Sequence, residues 1–279
     1  MAIHFNESTV AAEPFGTNVA RQRLLTRERI EGTSILLDRW TLGPASVAEL
    51  EVPAGSLAWF QVLEGGAALK SMGGEERLTD AHLVFLPPRF RGTLSSRAGA
   101  ALLYAEVPDA GRYEPSFAEK PPQLRVVDWT SEPVLASQHD ARKRIYVVTP
   151  KLFGVRAIKG EMIIYPPGTR AANHHHEGAE HFMYLTRGRG TAHANEKPFA
   201  VRRGDIVYYR ERERHYFISE GDEDMVFVEF FVPGEYKTIW AQDEPVCTWL
   251  PTGRNIRGEQ AVREIKAHGG TDAAAPQDV

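Results

Sequence analysis

Gly168-Thr169-Arg170-Ala171-Ala172-Asn173-His174-His175-His176-Glu177-Gly178-Ala179-Glu180-His181-Phe182-Met183-Tyr184-Leu185-Thr186-Arg187-Gly188 is the stretch on which the reading of this chain turns. Along an extended strand, successive side chains point to opposite faces. His174 and His176 therefore share one face and His175 takes the other. Further on, His181, Met183 and Leu185 recur at the same two-residue period and form one inward apolar set. Six of the ten histidines lie between His174 and His215, the others in this span being His193 and His215. Two imidazoles on adjacent same-face positions can chelate one ion when a paired strand brings more donors. Neutral imidazole suits several transition metals, so residue type alone does not choose among Fe, Mn, Zn, Ni and Cu.

Outward from this stretch the chain reads as β-structure punctuated by proline and glycine. Strands are expected at Ile35–Trp40, Trp59–Leu63, Leu83–Leu86, Ala101–Val107, Ile145–Val148, Met162–Tyr165, His181–Thr186, Ile206–Tyr209 and Met225–Val232. Many short strands with turn signals between them predict a sandwich or barrel. Helical periodicity is confined to Gly258–His268, where Val262, Ile265 and Lys266 predict one short helix. Residues from Gly269 onward are small and polar and read as a disordered tail. The proline-rich run Pro108–Pro122 reads as a linker between halves.

The halves resemble each other. At a shift of 123 residues, Trp59-Phe60 falls on Phe182-Met183, Gly65 on Gly188, Leu83-Val84-Phe85 on Ile206-Val207-Tyr208 and Arg91 on Arg214. Upstream, Val52-Pro53-Ala54-Gly55 matches Tyr165-Pro166-Pro167-Gly168 at a shift of 113, which makes the histidine run an insertion unique to the second half. His181 then corresponds to Ala58 and His215 to Gly92, so the first half is expected to hold no metal.

The histidine stretch resembles the first motif of the cupin superfamily, G-x5-H-x-H-x3,4-E-x6-G. Gly168, His174, His176 and Gly188 take its places. The third ligand position admits Glu180, which has the expected residue type, or His181, which fits both spacings. Alternation favours His181, with Glu180 in reserve. The second motif, G-x5-P-x-G-x2-H-x3-N, is matched at Gly204 and His215, but Arg210 and Arg212 replace its proline and second glycine. The resemblance implies an all-β fold of two tandem jelly-roll type double-stranded β-helix barrels. Residues 1–115 form the barrel without metal, 116–255 the metal-binding barrel, and 256–279 the short helix and tail. It also implies one divalent transition metal per chain, Fe or Mn before Zn, Ni or Cu, held by His174, His176, His181 and His215.

Polar residues flank these motifs. Arg170, Arg210, Arg212 and Arg214 could fork an acidic substrate or pair with Glu211 and Glu213. Of Tyr208 and Tyr209 only one faces inward, and Tyr209 is taken as the candidate proton donor. Glu229 interrupts the apolar run Val226–Val232, where a buried carboxylate needs a partner or a role in proton transfer. Trp240 and Trp249 read as core or interface aromatics.

Composition sets bounds on partners. The 279 residues are 42% apolar and 25% charged with a formal net charge of −4, which points to neither nucleic acid nor a membrane surface. Cys247 is the lone cysteine, which fits a reducing compartment, and no signal peptide is read at the start, so a cytoplasmic protein is expected. A homodimer is expected from the bicupin resemblance.

Three functions follow as expectations. The first is a dioxygenase-type oxidoreductase acting on a small organic acid or phenol, as in the three- and four-histidine cupins. The second is a Mn-dependent hydrolase, since the layout is similar to the ureidoglycine aminohydrolase family, with His174 and His215 standing where that family has Glu and Gln. The third is a cupin that binds a small ligand without turnover.

Overall fold

The structure is a computed structural model that describes residues 2–266 and 268. Its chain divides into two compact units, Glu7–Asp128 with Phe153–Ala157, and Met1–Asn6 with Trp129–Leu152 and Ile158–Val279. These boundaries differ from the expected 115/116 division. The opening strand Ile3–Asn6 pairs antiparallel with Asp205–Tyr209 and so belongs to the second unit. The run Pro108–Pro122 is not a free linker, because Ala110 and Phe117 are buried within the first unit.

Two sheets build the second unit. The eight-stranded sheet runs Ile3–Asn6, Asp205–Tyr209, Glu180–Arg187, Met225–Val232, Lys159–Tyr165, Lys143–Val148, Val134–Ser137, Trp249–Pro251. The five-stranded sheet runs Lys197–Arg202, Arg189–Ala194, His215–Ser219, His174–Glu177, Lys237–Trp240. Period-two alternation drives the apolar faces of both into one core, in which Ile163, Met183, Leu185 and Phe227 meet Ala192, Val201 and Phe217. Complete burial of a side chain such as Phe217 or Phe227 stabilises the fold by about 1.5–3 kcal/mol. Met225–Val232 is central to its sheet and all eight of its residues are buried, which is why a charged residue within it carries meaning.

The first unit is a sheet in the order Glu13–Leu25, Leu36–Glu51, Arg91–Ser96, Leu57–Ser71, His82–Leu86, Arg125–Asp128, with Gly74–Thr79 and Ala100–Val107 pairing off this path. Its core holds Trp40, Leu50, Phe60, Leu94 and Leu102. Every ladder in both units is antiparallel, among them Glu161 against Glu229 and Asp38 against Tyr104.

The repeat is visible in the backbone. Gly65 and Gly188 both have positive φ, 74° and 75°. A Cβ on them would stand 2.3 Å from the Gly99 oxygen and 2.5 Å from the Asp224 oxygen, so each position requires glycine. The ladders correct the upstream alignment, however. His174 pairs with His215 as Leu50 pairs with Gly92, so the histidine run is not an insertion. It corresponds to Leu50-Glu51-Val52, at the end of a single long strand Leu36–Glu51. What the second unit adds is the loop between Tyr165 and His174, where the first passes through Gly43-Pro44-Ala45 without leaving the strand. The positions equivalent to His174, His176, His181 and His215 are thus Leu50, Val52, Ala58 and Gly92, none with a donor side chain.

The predicted helix at Gly258–His268 is absent over its described residues. Turns and an Arg254–Gln260 bridge occupy this region, with Ile265 buried and Val262 68% exposed. An anchored extended segment satisfies the same apolar spacing when only one residue reaches the core. The expected disordered tail lies outside the described residues.

Candidate metal centre

Both sheets contribute to one cluster. His174 and His176 come from His174–Glu177 and His215 from the neighbouring strand of the five-stranded sheet, while His181 and Glu229 come from adjacent strands of the eight-stranded sheet. One donor atom from each of His176, His181, His215 and Glu229 lies within 4.8 Å of the others. The His181 Nε2 to Glu229 Oε1 separation is 3.6 Å. Ligands about 2.1 Å from one ion lie roughly 3–4.2 Å apart, so small inward movements suffice.

Hydrogen bonds fix which nitrogens are available. His215 Nδ1 lies 2.8 Å from the Glu213 carbonyl oxygen and donates to it, which leaves Nε2 as a buried lone pair with no partner. His176 Nδ1 lies 3.1 Å from Thr238 Oγ1. His181 has no hydrogen-bond partner on either ring nitrogen, and Glu229 Oε1 has none either. Leaving such groups bare in a core costs about 1–3 kcal/mol each. A divalent cation satisfies them together, so these residues fit a metal.

His174 stands beside the four-donor group. Its ring centroid is 4.4 Å from that of His215 and 4.9 Å from that of His176, and its Nδ1 donates to the Ala172 carbonyl oxygen. Burial holds the His174, His176 and His181 imidazoles well below their usual range, and their histidine neighbours lower them further. Burial likewise pushes His215 down to about 4. Neutral imidazoles are the form a metal binds.

Glu180 and His181 separate cleanly. Glu180 accepts a hydrogen bond from the Tyr208 hydroxyl and is not in the donor cluster, so it is corrected from reserve ligand to an outward partner of Tyr208. Tyr209 is the inward tyrosine, its ring stacked 4.3 Å from His215 and 5.1 Å from His181, with its hydroxyl buried and unpartnered. Burial, reinforced by Glu229, raises its pKa well above the usual value. Arg170 is corrected as a site residue, since its guanidinium forks Glu244 at 2.6 and 3.0 Å and lies outside the cavity lining. His175 points to the other side, with Nε2 3.6 Å from Glu177, and His193 stacks on Tyr216.

The turn before His215 forms despite its missing glycine. Arg212 sits there with φ of +66°, its amide donating to the His176 carbonyl oxygen. Glu213 accepts from the Arg210 amide, which closes the turn locally.

His174, His176, His215 and Glu229 line a cavity of about 870 Å³, with His181 packed behind them. Beside Glu229 in that lining is Glu161, its direct cross-strand partner. Burial raises the Glu229 carboxyl well above the usual range, and the Glu161 charge pushes it further. Arg144 reaches Glu161 at 3.2 Å, and Arg142 and Lys159 also line the cavity. Trp240 and Trp249 line it too, rather than serving only as core or interface aromatics. Sequence reading missed Glu161, Arg142 and Arg144. The signal was a charged residue at inward parity, since Glu161, Ile163 and Tyr165 share one face.

Comparison with known proteins bears on the fold. Residues 161–231 match the family model described as cupin domain. An oxalate-binding protein of Thermotoga maritima is 30% identical over 67 residues, 24% of this chain and 55% of that protein, so the match spans about half the length of the relative. Among solved structures, a glyoxylate-induced protein of Pseudomonas aeruginosa superposes with a TM-score of 0.70 at 15% identity, covering 82% of this chain and 88% of its own. The protein Ylba of E. coli gives 0.67 at 14%, covering 83% and 90%. A variant of the oxalate decarboxylase of Bacillus subtilis gives 0.68 at 15%, covering 85% and 79%. At these identities the likeness shows the fold, which is that of the cupin jelly roll. No helix among the described residues is long and apolar enough to cross a membrane.

Proposed function

We propose that this cupin-domain protein is a metal-dependent enzyme acting on a small carboxylic acid, of the dioxygenase type, with its single centre in the second unit. The observation that carries the reading is the convergence of one nitrogen from each of three buried histidines and the Glu229 carboxylate beside a large cavity that His176, His215 and Glu229 line. One ion per chain accords with Leu50, Val52, Ala58 and Gly92 at the equivalent positions of the first unit. Similarity to an oxalate-binding protein supports a carboxylate as the substrate group.

A divalent ion bound there supplies Lewis acidity and, if it is iron or manganese, access to oxygen chemistry. The chain's own residues do the rest. Arg144 offers a guanidinium to a carboxylate, while Arg142, held by Asp140, Tyr165 and Cys247, adds positive charge to the same wall. Phe231 and Tyr209 stack on His181 and keep its surroundings dry. Glu229 would hold the ion, and Glu161, its direct cross-strand partner, is the carboxyl beside it that can pass a proton.

The Glu161–Glu229 pair favours a second reading, a hydrolase or lyase in which proton transfer is the main work. Protein loaded with Fe(II) or Mn(II) and offered small carboxylic and ureido acids separates the two. Oxygen uptake that tracks product supports the first reading, and ammonia or carbon dioxide release without oxygen supports the second. Binding without turnover by every metal form would leave a ligand-binding protein and refute the enzyme reading.

A further inference from the structure

The cavity is far larger than a two-carbon acid. Such an acid fills on the order of 100 Å³, about three waters' share, against a cavity of about 870 Å³. That volume lies toward the upper end of the roughly 300–1,000 Å³ that holds ligands of drug-like size. Resting on the metal-enzyme reading, we infer that the substrate is an aromatic carboxylate, its acid group on Arg144 and its ring against the aromatic wall of the cavity.

Arg144 is built to receive an acid. Its guanidinium carbon lies 4.4 Å over the Trp249 ring, Nη1 donates to the Tyr146 hydroxyl at 3.2 Å, and Nη2 is 3.2 Å from Glu161 Oε1. Nε is buried and has no hydrogen-bond partner. A guanidinium carries five donors, and the side chain keeps 20% of its surface accessible, so the hydrogens not used on Tyr146 and Glu161 can meet a carboxylate in the cavity while those contacts hold the plane in place.

Position argues for length. From the His181 strand to the Arg144 strand the sheet passes Met225–Val232 and Lys159–Tyr165, three spacings or about 14 Å of backbone. Side chains shorten that gap from both ends, through the contacts His181–Glu229 and Glu161–Arg144. The Arg144 end of the cavity thus lies across Glu161 from the donor cluster, and an acid carrying a ring has the length to engage both.

The walls argue for a ring. Trp240, Trp249, Tyr146, Tyr236 and Phe231 all line the cavity. Trp240 lies 4.9 Å from the His174 ring and Tyr236 stacks on Phe231 at 4.0 Å, so the aromatic surface extends up to the metal ligands. A small dianion leaves this surface wet. A planar ring buries it, with about 0.5–1.5 kcal/mol per aromatic contact beyond area burial.

The test titrates metal-loaded full-length protein with acetate, oxalate, benzoate, 3-phenylpropionate and 2-naphthoate, read by calorimetry and by tryptophan fluorescence. The inference expects at least one aryl acid to bind ten-fold or more tightly than oxalate and acetate, with fluorescence quenching. Arg144→Met should weaken that aryl acid ten- to a hundred-fold. Arg144→Lys, which keeps the charge and loses the fork, should weaken it less but measurably, with metal content unchanged in both. Oxalate as the tightest probe, or aryl affinity indifferent to both substitutions, overturns the inference while leaving the metal reading intact. Failure to load metal overturns the metal reading instead, and fluorescence titration of the metal-free protein then still reports whether aryl acids choose this cavity.

Discussion

Lowering the pH on metal-free protein should unfold the second unit through its buried imidazoles. His215 is 1% exposed and its pKa falls from 6.5 to about 4 on burial. A depressed folded pKa on a base means that the unfolded chain binds the extra proton. The stability from neutral His215 is therefore complete above pH 6.5 and is lost as pH falls toward 4. A gap of that size corresponds to about 3 kcal/mol from this one residue. His174, His176 and His181 act with the same sign. Glu229 has the opposite sign, because its raised pKa gives stability at low pH that is lost as pH rises. For a unit of this size, 3 kcal/mol is roughly 6–12 °C in melting temperature. Calorimetric scans of the chelator-treated protein at pH 7.5, 6.5, 5.5 and 4.5 measure it, with His215→Asn as control. The wild type should lose that stability over the window and the variant should show a shallower slope. Identical slopes would refute the argument, since acid loss would then come from groups elsewhere.

Three further outcomes are expected. Gly188→Ala places a Cβ 2.5 Å from the Asp224 oxygen at φ +75°, so it should cost at least about 2 kcal/mol in a denaturant melt. Arg212→Gly should stabilise by about 0.5–1 kcal/mol in the same assay, because the glycine relieves a left-handed residue at φ +66°. Glu180→Ala should keep its metal, while Glu229→Gln should hold it more weakly, as read by metal analysis after dialysis against a mild chelator.

The fold was legible where the strands are apolar. Met225–Val232 was read with its full bounds, and His181–Thr186 and Ile206–Tyr209 lie within observed strands a residue or two longer. The five-stranded sheet was harder to read, because Arg189–Ala194 and Lys197–Arg202 are polar strands with few β-branched residues. The same bias hid half the cavity. Strands expected to begin at Ile145 and Met162 begin in fact at Lys143 and Lys159, and the residues left off include Arg144 and Glu161. Charged residues lower strand propensity, yet at inward parity they are the ones that reach the cavity. The preference for His181 over Glu180 rested on motif spacing and on alternation, since a one-residue slip would turn the whole apolar set outward. The position of the histidine run in the repeat did not follow, because a strand that continues through Gly43-Pro44-Ala45 cannot be told from a deletion by matching letters.

Metal content tests the central claim most directly. Purified protein, reconstituted and desalted, should carry about one divalent ion per chain by mass spectrometry, and His181→Ala should lose it while remaining folded. Wild type that holds no ion after reconstitution, or a His181→Ala variant that holds it as firmly, would contradict the account.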